Sequence, residues 1–564
     1  MSDLHQRLAN GFPDRALPSR SSIPSDARGI TQWVAALPLA NALSASRVLL
    51  QGMRELNNLR IDAAARLHAL ETVRSPAAQL VAQADRQVIG SSFPLPQAKQ
   101  QLGLQSREFH ELLAIGYRMV LHDLCVPGGK LPFLKGGMAA LAAARSIGHV
   151  AESLLRGYLL YLVPAPGLWR SAHDVFRFSE AIGVVDKTAA DPLLGKATVS
   201  PRQCYAHLLL AAISNPYRLA QKEMADAHEA MRGWAAYCDL SIAGGASDFD
   251  VAQDEDRGPG YTPDERSAAG VQRVAFSPRR AQEYLERELS LAGQMGGPLS
   301  FGLKGGSRVA MPQDLVRRLM SAWRPQFDRN HSRLSAGHEL ETLIGLHAIH
   351  FHLSGQLDFE NFVRELRGPG ISLSERDKTA SWAQGGGSNE SARALPTRAR
   401  VLDQGLGGYR LQWSAESGAK ARIGELVGLA VPDDEESTER EWMIGVIRWL
   451  RFGHDGQVDA GVELLARQVE PAALRISEGG SGFKTPVRAI ELEPLHPGNG
   501  NGSFLAPSIG ERSFARIEVS MRPERYAETR EPRVQVIADI DLLEHTGAYL
   551  RVAPRAKTPE NSVA

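Results

Sequence analysis

The chain has 564 residues, 43% hydrophobic and 23% charged, an ordinary globular composition that excludes a wholly disordered polymer. At ~100–200 residues per domain, three or four domains are expected. Lys plus Arg total 64 and Asp plus Glu total 64, which excludes the global basic field that drives binding to a nucleic-acid polymer.

The N-terminus, MSDLHQRLANGFPD, contains no apolar run of signal-peptide length. Residues 1–25 are rich in Ser, Pro and Arg and predict a mobile tail. The most apolar stretch, Gly137 to Val163, is interrupted by Arg145, His149, Glu152 and Arg156. A spanning helix needs ~20 nearly uncharged residues, so this stretch predicts a helix pair of a soluble protein, without membrane insertion. Cys125, Cys204 and Cys238 are scattered and form no CxxC pair, which argues against a disulfide framework or zinc ribbon and fits a reducing, cytoplasmic location.

Residues 26–243 read as an α-helical domain. Leu, Ala and Met recur at three- and four-residue spacing, and helix breakers fall between the segments. Helices are predicted over Ala42–Leu59, Ala63–Ala82 (divided by Pro76), Glu108–Leu124, Met138–Leu162, Leu168–Ile182 and Pro201–Leu240. Trp169–Phe176 resembles the opening of a tetratricopeptide helix pair, but no second copy follows at a ~34-residue period, so an irregular stack of antiparallel helix pairs is expected.

Residues 244–310 read as a linker and connecting segment, because Gly244–Pro263 is acidic and Gly-rich without apolar periodicity. Alternation begins at Gln272–Phe276 and Leu299–Leu303, and a short helix is expected over Pro312–Trp323. Residues 311–475 predict a small β-barrel or sandwich with a Gly- and Ser-rich insert at 368–396. Its strands are expected at Gly408–Trp413, Arg422–Val431, Trp442–Phe452 and Val458–Leu465. Residues 480–556 predict a second β module, and 557–564 a polar tail. The fold class expected is α+β multidomain.

Two elements flank the insert. Arg329–Asn–His–Ser–Arg333 precedes the run Glu339–Leu353, and Asp403–Gln–Gly405–Leu–Gly407–Gly408 enters the strand Tyr409–Trp413. An arginine pair, a carboxylate and a glycine turn are residue types that can hold an anion and planar hydrogen-bonding groups. Guanidinium forks match phosphate oxygens and guanine O6/N7, and their planes stack on bases. In extended chain, positions i and i+4 face one side about 13 Å apart, from ~3.3 Å per residue. A carboxylate accepts from guanine N–H groups, and glycines let backbone N–H groups approach an anion.

The arrangement resembles the PilZ domain family, β-barrels that bind cyclic di-GMP, whose signature is RxxxR, a strand, then [D/N]xSxxG. Arg329 and Arg333 match the first element, and Asp403 and Gly408 the ends of the second. Gly405 stands where the family has Ser, and the two elements lie about twice as far apart as is usual. Val427–Gly428, Gly445–Trp449 and Gly461–Leu464 resemble the family's later strands, so the likeness covers roughly residues 325–470.

The resemblance implies a site built from Arg329, Arg333, Asp403, Gly405 and Gly408, with Arg398, Arg400, Arg410 and Arg448 in reserve. It implies cyclic di-GMP as ligand, no cofactor, no catalysis, and a helical domain that signals to a protein partner. Two further readings stay open: the arginines are solvated or paired with acids such as Asp328 and Glu339, and the Asp403 segment is only a tight turn. Under these the chain is an interaction or assembly scaffold whose barrel has lost the nucleotide.

Other signals carry less. His347, His350 and His352 are expected on a strand, where His350 and His352 share a face, yet no Cys or phased carboxylate completes a zinc set. Val126–Lys130 lacks the upstream Gly and following Ser or Thr of a phosphate loop, and Phe483 breaks the GxSxG pattern at Gly479. Asp433–Glu436 reads as a charged hairpin tip.

Overall fold

The computed structural model describes residues 2–17, 23–241, 249–261, 273–293, 297–324, 333–367, 395–432, 440–453, 455–477, 482–495, 502–508, 516–523 and 531–555. Arg329, the Asp433–Glu436 cluster, the C-terminal tail and nearly all of the insert fall outside them. The chain divides into two compact units: Met1–Ser91 with Leu95–Asp328, and Ser92–Pro94 with Arg329–Ala564.

The first unit is built on helices α1 (Ser2–Leu8), α2 (Ala27–Ala35), α3 (Ala42–Asn58), α4 (Ala63–Val88), α5 (Gln97–Leu124), α6 (Gly136–Leu159), α7 (Leu168–Ala181), α8 (Pro201–Ile213) and α9 (Gln221–Trp234). Short polar residues cap several of them: the side chains of Asp26, Asn41, Asp62 and Ser200 accept first-turn N–H groups. Strands β1 (Ala189–Ala190) and β2 (Thr198–Val199) form a small ribbon. Strands β3 (Asp239–Ser241), β4 (Phe249–Ala252), β5 (Gly260–Tyr261) and β6 (Arg273–Ser277) pair in the order β3-β6-β4-β5. Helix α10 (Arg279–Gly293), the hairpin β7 (Leu299–Gly302) and β8 (Arg308–Met311), and helix α11 (Gln313–Ala322) complete the unit. No helix among the described residues is long and apolar enough to cross a membrane.

Several local expectations change. Residues 2–8, read as part of a mobile tail, form α1, with Leu8 buried and Arg7 Nε 2.8 Å from the Asp174 carboxylate of α7. Pro76 does not divide α4: burial of Leu70, Val73, Ala77, Leu80 and Val81 offsets the ~3 kcal/mol that an interior proline costs. Gly137–Val163 holds one long helix rather than a pair. Pro201–Leu240 holds two helices, because Asn215 turns left-handed (φ 50°) before Pro216, which has no N–H to continue the ladder.

The segment read as a linker also contributes structure. Phe249, Val251 and Ala252 are buried in β4, and the Asp256 carboxylate accepts the Gly167 and Arg170 N–H groups at the start of α7. Its acidity serves a helix N-terminus.

In the second unit, strands β9 (Leu334–Ser335), β10 (Glu339–Ile344), β11 (Thr397–Gly405), β12 (Gly408–Trp413), β13 (Leu426–Ala430), β14 (Met443–Phe452) and β15 (Val458–Ala466) pair in the order β10-β13-β14-β15-β12-β11-β9. A further β10–β11 pairing closes the first six into a barrel and leaves β9 on its edge. The interior is filled by alternating residues such as Leu340, Val401, Leu411 and Trp413, and the Trp413 indole donates to Thr342 Oγ1 at 2.9 Å.

A half-barrel sheet follows: β16 (Val469–Ser477), β17 (Val487–Leu492), β18 (Ser503–Pro507), β19 (Arg516–Met521), β20 (Arg533–Ala538), β21 (Ile540–His545) and β22 (Tyr549–Pro554), in the order β20-β19-β16-β17-β18-β22-β21. Helices α12 (Leu346–Leu353) and α13 (Phe359–Arg367) lie between β10 and β11 in the chain. Ile349 of α12, Ile444 of β14 and Ile490 of β17 share one core, so barrel and half-barrel are packed together. The architecture is α+β and multidomain, as the sequence indicates.

The histidine run is where the strand expectation fails. Glu339–Ile344 is a strand, but Gly345 (φ 93°) turns the chain into α12, on which residues two apart point in different directions. His350 is buried, its Nε2 lies 3.2 Å from the Ala472 carbonyl, and desolvation pushes its pKa down to about 3.

Candidate functional site on the barrel wall

Residues 334 and 335 pair antiparallel with Gln404 and Asp403, and Ala336 N–H donates to the Leu402 carbonyl at 3.1 Å. This short edge strand holds Arg333 beside β11, where Nη1 meets Asp403 Oδ1 at 2.6 Å across 70 positions of sequence. A β-bulge between Val401 and Asp403 makes the contact possible. Val401 is fully buried and pairs with Leu411, both inside the barrel; two residues on, Asp403 would share that inward face. The bulge places Asp403 opposite Arg410 instead, on the outer wall.

Arg410 links the next strands. Its Nη1 lies 4.0 Å from Asp403 Oδ2, its Nη2 lies 2.7 Å from Asp459 Oδ2, and its guanidinium carbon sits 6.0 Å from the centre of the Trp449 ring. Gln412 donates to the other Asp459 oxygen at 2.9 Å. Gly461 pairs with both Arg410 and Trp449, and a Cβ there would fall 1.8 Å from Trp449 Nε1. The bare glycine lets the indole lie against β15.

Gly405 and Gly408 pair across the two-residue loop Leu406–Gly407. Gly408 has φ 152°, and a Cβ on it would stand 2.0 Å from the Val462 carbonyl oxygen. Its glycine is required by close approach of β12 to β15.

Of the reserve arginines, Arg398 lies 3.5 Å from Glu339. Arg448 is held by Glu463 and by Glu544 of β21; burial lowers its pKa, but the two carboxylates outweigh that and raise it. Arg448 is therefore committed to joining the half-barrel to the barrel. Arg400 is exposed, opposite Gln412, and makes no ion pair among the described residues.

The wall thus presents Arg333, Arg400 and Arg410 against Asp403 and Asp459, with the Trp449 ring alongside. It offers guanidinium forks for phosphate, a carboxylate for guanine N–H groups and planar groups for stacking. Sequence reasoning named Trp449 and Gly461 only as strand residues and did not single out Asp459. No signal in the sequence marks the bulge at Leu402. Arg329 lies outside the described residues.

Residues 28–246 match the family described as "Cyclic-di-GMP receptor FimW, N-terminal domain". Residues 249–397 and 383–471 match "Cyclic-di-GMP receptor FimW, middle PilZ domain". The chain is similar to the "Cyclic-di-GMP receptor FimW" of Pseudomonas aeruginosa, 23% identical over 542 residues, covering 88% of this chain and 86% of the relative.

Proposed function

With a PilZ-family domain in the C-terminal half of this chain as the premise, we propose that the protein is a non-catalytic receptor for cyclic di-GMP that binds the nucleotide on the outer barrel wall. The observation that carries the reading is the Arg333–Asp403 contact, which joins the two separated elements on one face beside Arg410 and Trp449. In this assignment Arg333, Arg400 and Arg329 supply donors to phosphate and guanine, and Asp403 accepts guanine N–H groups. Arg410 and Trp449 offer surfaces for stacking. Gly405 and Gly408 shape the hairpin.

The ligand must displace Arg333 from Asp403 or share it. Both side chains are partly exposed, at 40% and 22%, and such surface pairs are worth ~0.2–1 kcal/mol. A guanidinium–phosphate contact is worth ~1.5–3 kcal/mol, so the exchange favours binding. The signal then passes through the helical unit to a protein partner. The exposed Phe133 and Leu134, flanked by Lys130 and Lys135, suit an apolar pocket rimmed by carboxylates. Three free cysteines agree with a reducing, cytoplasmic setting.

Titration of the full-length protein with cyclic di-GMP tests the reading. Saturable heat is expected, with cyclic di-AMP bound at least about tenfold more weakly, since it lacks the guanine O6 acceptor. A second reading, a scaffold whose barrel has lost the ligand, is favoured by the missing hydroxyl at Gly405 and by the ion pairs that already engage Arg333 and Arg410. Absence of saturable heat would select it.

A further inference from the structure

Among the described residues the half-barrel ends on two free edges, β20 and β21, of six residues each. An unpaired edge presents a row of N–H and C=O groups that another strand can take up, so folded proteins blunt such edges with charge, bulges or brevity. The other described sheet edges follow that rule. β1, β2, β3, β5, β7, β8 and β9 run four residues or fewer. β21 carries a bulge between Leu542 and Glu544, and its carboxylates Asp541 and Glu544 are held by Arg555 and Arg448.

β20 has none of these devices. It pairs with β19 in unbroken register from Arg533 to Ala538, and its far side is open among the described residues. Val534–Gln–Val–Ile–Ala538 contains no charge, proline or glycine. Ile537 is buried in the half-barrel core, whereas Val534 and Val536, on the opposite face, are 56% and 53% exposed. Two β-branched side chains on an unguarded edge favour a strand neighbour over solvent.

The sequence of β20 also matches itself. With a twofold axis at Val536, an antiparallel second copy sets Val536 against Val536, Val534 against Ala538 and Gln535 against Ile537. The two-residue period of the side chains keeps the valines and Ala538 together on the outer face. In the same register Arg533 falls opposite Asp539 at both ends, so the nearest charges on either side of the neutral run meet with opposite sign. Asp539 is exposed, and Arg533 is partly exposed with Nη2 3.6 Å from Glu491; the five donors of a guanidinium can serve more than one carboxylate. This charge complementarity points to a second copy over an unrelated strand.

We propose that β20 pairs antiparallel with β20 of a second copy of this chain, joining two half-barrels into one continuous sheet about a twofold axis at Val536. A contact of one short strand per partner is small, so the dimer forms with rising concentration and is not obligate.

The experiment is sedimentation equilibrium of the full-length protein from nanomolar to high micromolar concentration. The average mass should rise from one chain toward two. Val536→Lys and Val536→Glu each set like charges face to face on the axis and should weaken the dimer at least about fivefold. Mixing the two variants sets Lys against Glu and should restore it. Both replace an exposed side chain, and circular dichroism checks their folding. Should either fail to fold, Asp539→Asn tolerates the left-handed backbone there (φ 57°), removes both end pairs and should weaken the dimer at least about twofold. The mass of one chain at every concentration, a dimer unchanged in the folded variants, or no recovery on mixing would each overturn the proposal; the first would leave the edge to an extended segment of another protein.

Discussion

Replacing Arg333 by Ala separates the ligand role of this side chain from any structural one. Arg333 precedes the two-residue strand β9, and its guanidinium meets a partly exposed carboxylate, so its loss should cost the free protein no more than ~1 kcal/mol. In the complex, the same deletion removes a charge-assisted contact worth ~1.5–3 kcal/mol, which is about a tenfold to 150-fold rise in Kd. Asp403→Asn keeps the shape and removes the charge, and the two substitutions form a cycle. If Asp403 acts only by holding Arg333, Asp403→Asn adds nothing in the Arg333→Ala background. If Asp403 itself accepts guanine N–H groups, the two losses add. Isothermal titration of the four proteins with cyclic di-GMP, alongside urea unfolding of each, measures both terms. A Kd for Arg333→Ala within twofold of the parent refutes the assignment of this side chain. A fall in stability beyond ~2 kcal/mol refutes the premise that the pair is a cheap surface contact.

Gly461→Val should displace the Trp449 indole, because the first added carbon already falls 1.8 Å from Nε1. Overpacking of this kind costs ~1–3 kcal/mol, and tryptophan fluorescence together with the cyclic di-GMP titration should both change; an unaltered pair of readouts would show that the ring is not held by the bare glycine. Acid should weaken the helical unit through its buried imidazoles. Desolvation pushes His110 down to about 3 and His149 and His207 well below their usual value, whereas an unfolded histidine titrates near ~6.5. Below that pH the unfolded chain binds protons the folded one refuses, so stability is present above ~6.5 and is lost as pH falls toward about 3, by up to ~1.4 kcal/mol per pH unit for each group. Replacing His110 and His149 together by Phe should make the slope of the urea midpoint at 222 nm shallower between pH 6 and 4, and an unchanged slope would assign the acid lability elsewhere.

The helical unit was readable because its cores repeat every three or four residues, and such local order survives translation into structure. What escaped were places where one residue overrides the pattern. Asn215 and Pro216 stop a helix that Leu and Ala spacing would continue, and Gly345 converts an apparent strand into a helix. Phe249 and Val251 were hidden in a stretch whose overall acidity reads as linker, although their alternation is that of a half-buried strand. The polar network around Glu152 was not legible at all. Arg156 lies one turn along α6 from that carboxylate, whereas Arg232 and His228 reach it from α9, and burial alone would have raised its pKa, yet these three partners hold it well below the usual range.

On the barrel, the residue types of the candidate site were legible and their geometry was not. Arg333 and Asp403 flank some seventy positions that include two helices and the insert, which on sequence counts against a joint site. Physics assigns that separation little weight. Doubling a flexible loop costs only ~0.6 kcal/mol of closure entropy, and the closure is made by the barrel itself. Glu339 pairs with Arg400 and Thr342 with Thr397, so β10 and β11 are neighbours whatever intervenes between them. With β11 fixed, β9 needs only residues 334 and 335 to dock on its free edge and bring Arg333 to Asp403. The phase of that contact depends on the unpaired Leu402, since without it the carboxylate would face the packed interior and Arg333 would find only the backbone of an edge strand. A one-residue irregularity, rather than the spacing of the two motifs, decides whether this wall can be a site.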